Sequence, residues 1–269
     1  MNRSSPARAP LSSIFPIAPS AAVTRHGAVD ALRGLAMVWM TVFHLCFDLS
    51  HFGFWVQNFR ADPFWTFQRT CIVSIFLFCA GLGQAIALHQ GQGWLRFGRR
   101  WAQVVGCALL VTAGSFAMFP QSFIYFGVLH GMAVMLLIAR CTASWGRWLW
   151  LAGLVAVMLP PLVEYLLSKF WPDAAALFNG RALNWLGLVS RKPFTEDYVP
   201  VLPWLGVLWW GLAAGQWVLA RRPGWLHRAL PRALMPLATL GRWSLSYYML
   251  HQPVMISVLM LVVWAIGRG

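Results

Sequence analysis

The chain has 269 residues, of which 59% are hydrophobic and only 10% charged, with a formal net charge of +14. An ordinary soluble domain carries roughly a quarter of charged residues, so this balance and a mean hydropathy of +0.62 exclude a soluble enzyme and point to a polytopic membrane protein. The positive charge does not indicate nucleic acid, because the arginines sit at the ends of apolar runs, where topology signals sit.

Residues 1–28 are rich in Arg, Pro, Ser and Ala, without a long apolar stretch. They read as a disordered cytoplasmic tail and not as a cleavable signal peptide. The transmembrane domain is then expected over 29–267. A span needs about 20 apolar residues, and seven segments qualify: about 29–49, 66–88, 101–118, 122–140, 148–167, 200–219 and 243–266. The stretch "HRALPRALMPLATLG", with its prolines and arginines, reads as an interfacial piece leading into the last span. The fold class is therefore an all-α bundle of about seven spans. Most of the 21 Lys and Arg residues, among them Arg33, Arg96, Arg99, Arg100, Arg221 and Arg222, fall on one side of such a layout. That bias puts the N-terminus in the cytoplasm and the C-terminus outside.

The first span, "VDALRGLAMVWMTVFHLCFDLSH", holds Asp30, Arg33, His44, Asp48 and His51. At 100° per residue, with Arg33 at zero, these five lie within about 60° of one another. Leu35, Val42, Cys46 and Leu49 point the other way. Ionisable groups in a bilayer are costly, so the polar stripe must face other helices or a cavity. Arg33 lies near the inner end, and His44 is roughly 16 Å further along the helix. Asp48, one turn beyond His44, is placed to hold a ring nitrogen of His44 and fix its tautomer, the arrangement of an oriented general base. Asp30 and Arg33 are spaced to pair at the helix entry.

Later spans add His130 in "FGVLHG", Trp204 in "PWLGVLWWG", and Tyr247, Tyr248 and His251 in "GRWSLSYYMLHQPV". These residues are candidates to line a substrate cavity. The five cysteines form no CxxC pair and read as small buried hydrophobes, and no metal site is expected. Two Lys against nineteen Arg hint at a bacterial genome rich in G and C.

"DALRGLAMVWMTVFH" resembles the first-helix signature of the membrane-spanning acyltransferases, with an Arg and a His in R-x(10)-H spacing at Arg33 and His44. "HLCFDL", "FGVLHG", "PWLGVLWWG" and "GRWSLSYYMLHQPV" are similar to one branch, the bacterial relatives of the heparan-α-glucosaminide N-acetyltransferase catalytic domain. The likeness runs from about residue 25 to 266. It implies an integral protein of the bacterial inner membrane that takes an acetyl group from acetyl-CoA, or another acyl-CoA, on the cytoplasmic side. The acceptor would be a hydroxyl or amine of an envelope saccharide on the outer side. Arg33, held by Asp30, would bind the donor. His44 would be the base with Asp48 as its orienter, and His130, Trp204, Tyr248 and His251 would line the cavity. In the lysosomal relative an Asn stands where His44 does, and the catalytic His lies further on, so the base, His44 or His51, stays open. A non-enzymatic transporter of a lipid or sugar is the alternative, and a haem-carrying bundle using His44 with His130 or His251 is a third. Homodimerisation is left open.

Overall fold

In the computed structural model, residues 26–222, 224 and 229–267 are described, so nearly all of the expected N-terminal tail lies outside the described residues. Nine α-helices and no strand occur among the described residues. The helices are α1 (Gly27–His51), α2 (Pro63–His89), α3 (Trp94–Met118), α4 (Val128–Thr142), α5 (Trp148–Phe170), α6 (Pro172–Asn179), α7 (Trp204–Arg221), α8 (Met235–Arg242) and α9 (Ser244–Ala265).

Six of them, α1 to α5 and α9, are long and apolar enough to cross a membrane, α4 counted with the short 3₁₀ turn that follows it. The remaining expected span is α7, an 18-residue helix that does not reach that hydropathy. Its composition explains why. Gly206, Gly211 and Gly215 and a glutamine take the place of lipid-facing Leu and Val, because half of α7 is buried inside the bundle. α7 runs alongside α2 in the same direction, and the two backbones touch. A Cβ on Gly81 would collide with the Leu208 carbonyl, and one on Gly211 with that of Phe78. Such small residues let helices approach closely where lipid gives no hydrophobic drive between them.

Three expected boundaries move. The third helix starts at Trp94, seven residues early, because Arg96, Arg99 and Arg100 are tolerated in its exposed first turns. The fourth starts at Val128 and not near 122. Residues before it are held in an irregular loop by hydrogen bonds to the segment before α7, such as Val199 N–H to the Phe126 carbonyl at 3.3 Å. The sixth begins after Pro203, since Pro200 and Pro203 remove backbone donors from the segment. Val199 and Val201 are nonetheless buried; irregular backbone at this depth is enclosed by protein, as its unpaired polar groups require.

The main core lies among α2, α4, α5 and α7, with Leu77, Met135, Leu149, Leu208 and Leu212 fully enclosed. A second cluster joins α1 and α2 through Ala36, Met37, Met40, Ile72 and Phe76. Leu35 and Val42, read as the outward face of α1, are exposed. The cysteines correct one expectation: Cys79 is buried, but Cys141 is exposed, as an apolar residue facing lipid is free to be. Pro231 and Arg232 lead into α8, which packs against the start of α1. Gly34 and Gly241 permit that contact, each abutting backbone of the opposite helix.

Candidate functional site

Helix α1 sets the frame because its polar stripe faces inward along most of its length. At the α1 start, Arg33 Nη1 contacts Asp30 Oδ1 at 3.2 Å and the Gly241 carbonyl at 3.4 Å. Asp30 Oδ2 also meets Arg242 Nε at 3.8 Å. The expected i,i+3 pair therefore forms, and it is extended by a second arginine from the end of α8. With Arg100 of α3, these side chains line a vestibule of about 300 Å³. Three guanidinium groups line it beside one carboxylate, which contacts two of them. The surplus positive charge, on forked donors suited to phosphate geometry, favours an anion.

Beyond the vestibule lies a chamber of about 360 Å³. It exists because α3 packs on α4 and only lightly on α9, which leaves space between α3 and the α1–α2 pair. Trp101 holds the α3 wall in place by donating to the Ala133 carbonyl of α4 at 2.8 Å. Arg33, Gly83, Ala87 and Arg100 border both the vestibule and the chamber and so form the neck between them. Met37, Phe76, Ala80, Met132 and Leu136 make the inner walls apolar, and Tyr248 and Val128 stand at the far end.

Past Tyr248 is the histidine of α1. The His44 and His251 rings lie 5.2 Å apart between centroids, inclined at 64°. His251 Nδ1 is 2.7 Å from the Tyr248 carbonyl. A carbonyl only accepts, so Nδ1 carries the proton and Nε2 keeps its lone pair. That Nε2 is buried and has no hydrogen-bond partner among the described residues. Tyr247 stacks on the same ring at 5.9 Å and pairs its hydroxyl with Thr41 Oγ1 at 2.7 Å. Asp48 departs from the expected arrangement. Its Oδ1 accepts from Gln252 Nε2 at 2.8 Å, and its other oxygen has no partner among the described residues. The carboxylate one turn above His44 is drawn across to α9, where an amide donor waits, and the ring neighbour of His44 is His251. His51 is exposed at the end of α1, with its ring against Phe52 and Phe119.

Three expected cavity residues, His130, Trp204 and His251, are absent from the chamber wall. His130 Nδ1 accepts from the Gly127 N–H at 3.3 Å, and Nε2 lies 3.0 Å from Thr112 Oγ1, which itself donates to the Ile124 carbonyl. Both ring nitrogens are used in fastening the loop before α4 to α3, and the ring is absent from the chamber wall. Trp204 is partly buried against the main core. Tyr248 does line the chamber.

Sequence reasoning took Arg100 for a topology charge and missed Arg242 and Asp197. Asp197 Oδ2 accepts the Val128 N–H at 2.7 Å, capping α4. Burial raises its carboxyl above the ordinary carboxylate value, while that N–H and the charge of Arg69 act in the opposite sense.

Residues 25–253 match the family described as heparan-alpha-glucosaminide N-acetyltransferase, catalytic. No curated protein and no solved structure matches the chain.

Proposed function

The chain belongs to the heparan-alpha-glucosaminide N-acetyltransferase catalytic family, and on that premise we propose that it transfers an acetyl or similar acyl group from acyl-CoA to a hydroxyl or amine of an envelope saccharide. The donor would enter from the cytoplasm at the arginine end, and the acceptor would approach from outside a bacterial inner membrane. The observation that carries this reading is the order of environments along α1: Arg33 at a cationic vestibule, Met37 on the wall of an apolar chamber, then His44 beside His251. An acyl-CoA has the same order of parts, namely phosphates, a long uncharged arm and a reactive thioester.

In this reading Arg33, Arg100 and Arg242 take the phosphates, with Asp30 holding two of the three in place. The arm lies along Met37, Phe76 and Met132. His44 accepts the proton of the acceptor hydroxyl or amine as that group attacks the thioester carbonyl. The tetrahedral adduct collapses, the C–S bond breaks, and the proton on His44 passes to the departing thiolate. His251 and Tyr248 border the reacting atoms. The free oxygen of Asp48 is available to an N–H or O–H of the acceptor.

The test is transfer from labelled acetyl-CoA, by the purified protein in detergent, to an envelope extract. Label appearing in saccharide is the expected result. A protein that neither binds acetyl-CoA nor consumes it would overturn the proposal and leave passive transport of a lipid or sugar as the better account of the cavity.

A further inference from the structure

The apolar wall of the chamber contains one residue that its surroundings do not explain. Gln84 of α2 lines the chamber and is only 9% exposed. Its Oε1 is buried and has no hydrogen-bond partner among the described residues. A lone amide oxygen withdrawn from water without a partner is unfavourable. Its α2 neighbours on the same wall, Ala80, Gly83 and Ala87, carry no polar group at all. Leucine would suit a membrane helix better here. The glutamine also stands beside Gly83, at the neck, so whatever passes from the vestibule into the chamber passes it.

An acceptor oxygen in that position requires an N–H or O–H from the occupant. Two kinds of molecule combine an anionic head with a long slender chain and so fit the charges and shape of this cavity. One is an anionic lipid such as a prenyl diphosphate, which is present in the same bilayer and has no N–H along its chain. The other is a CoA thioester, whose pantetheine arm carries two amide N–H groups.

We propose that Gln84 selects between them: its carboxamide oxygen accepts an amide N–H of the pantetheine arm, and a hydrocarbon chain in the same place leaves that oxygen unpaired. This rests on the acyl-CoA reading above and adds the means by which the donor site rejects lipid. The principle is general. A site built around a buried hydrogen-bonding group discriminates strongly against a ligand that lacks the complementary group.

Binding in detergent tests it with three probes: acetyl-CoA, an acetyl-CoA analogue with esters in place of the two pantetheine amides, and farnesyl diphosphate as competitor. The wild-type protein is expected to bind acetyl-CoA roughly tenfold more tightly than the ester analogue. Gln84→Leu should lose that preference and be displaced from acetyl-CoA by less farnesyl diphosphate. Gln84→Glu, which keeps an acceptor oxygen, should retain the preference for amide over ester whatever its absolute affinity. A Leu variant that keeps both its acetyl-CoA affinity and its preference overturns the inference while leaving the donor reading intact. Failure of the wild-type protein to bind acetyl-CoA overturns the donor reading and this inference with it.

Discussion

His44 on α1 and His251 on α9 face each other at 5.2 Å between ring centroids, further along α1 than Arg33 and Met37, the α1 residues that line the chamber. Neither histidine is near the other in sequence, and the pairing is made by the packing of the first span against the last.

The catalytic prediction follows from that pair. His44→Ala is expected to abolish transfer from labelled acetyl-CoA while preserving acetyl-CoA binding. Asp48→Asn should lower turnover by a smaller factor, because Gln252 can still hold the side chain. His51→Ala should be mild, since the ring is exposed at the helix end. A dead His51→Ala beside an active His44→Ala would move the base to the loop.

Donor affinity is expected to depend on the vestibule. Arg33→Ala and Arg100→Ala should each weaken acetyl-CoA binding about tenfold or more, the loss expected for one charge-assisted contact to phosphate. The Arg33 variant should remain folded, because Asp30 retains Arg242. Unchanged affinity in a titration of the purified variants would reduce both arginines to topology charges.

The neck between vestibule and chamber is kept open by small side chains. A Cβ at Gly83 meets only the Arg33 guanidinium, at 3.8 Å, so Gly83→Ala should be tolerated. Ala87→Trp or Gly83→Phe should fill the opening and abolish transfer without lowering the melting temperature. Full activity in both bulky variants would mean that the donor takes another route.

His130 is expected to matter for stability alone. His130→Ala removes the partner of the Gly127 N–H and of Thr112, which should destabilise the protein by about 1–3 kcal/mol. Acetyl-CoA affinity of the surviving folded protein should match the wild type; a specific loss of binding or turnover would return His130 to the site.

Topology is checked by reporter fusions after residues 95 and 185. The positions lie at opposite ends of the bundle, and the arginine bias predicts the first inside and the second outside. Reporters on the same side would contradict the odd number of crossings.

Much of this architecture was legible because hydropathy and helix period act within one segment. Seven apolar runs became seven helices, the polar face of α1 turned inward, and Asp30 paired with Arg33. Partners on distant segments were not legible. The spacing of His44 and Asp48 shows that the two can meet, but not that Gln252, 204 residues away, offers Asp48 a donor. Likewise, no local pattern distinguishes Arg100 and Arg242 from arginines that merely mark a membrane face. Gln84 left a trace, an amide in the more apolar half of its helix, that acquired meaning only once the cavity beside it was seen. His130 shows the opposite error, since a deep histidine invites a chemical role that its two local hydrogen bonds leave no room for.

The apolar stretch of α1 between Arg33 and His44 has a bearing on the membrane itself. A passage that begins at one face of a membrane and runs toward the other threatens to leak protons and ions. Met37 and Met40 are almost entirely enclosed, and with Phe76 and Met132 they offer neither charge nor hydrogen bonds to a water file. Constrictions lined this way stay dry and oppose conduction even when wide enough to admit water. The methionines proposed to receive an acyl carrier, Met37 and Met132, would then serve between turnovers as insulation.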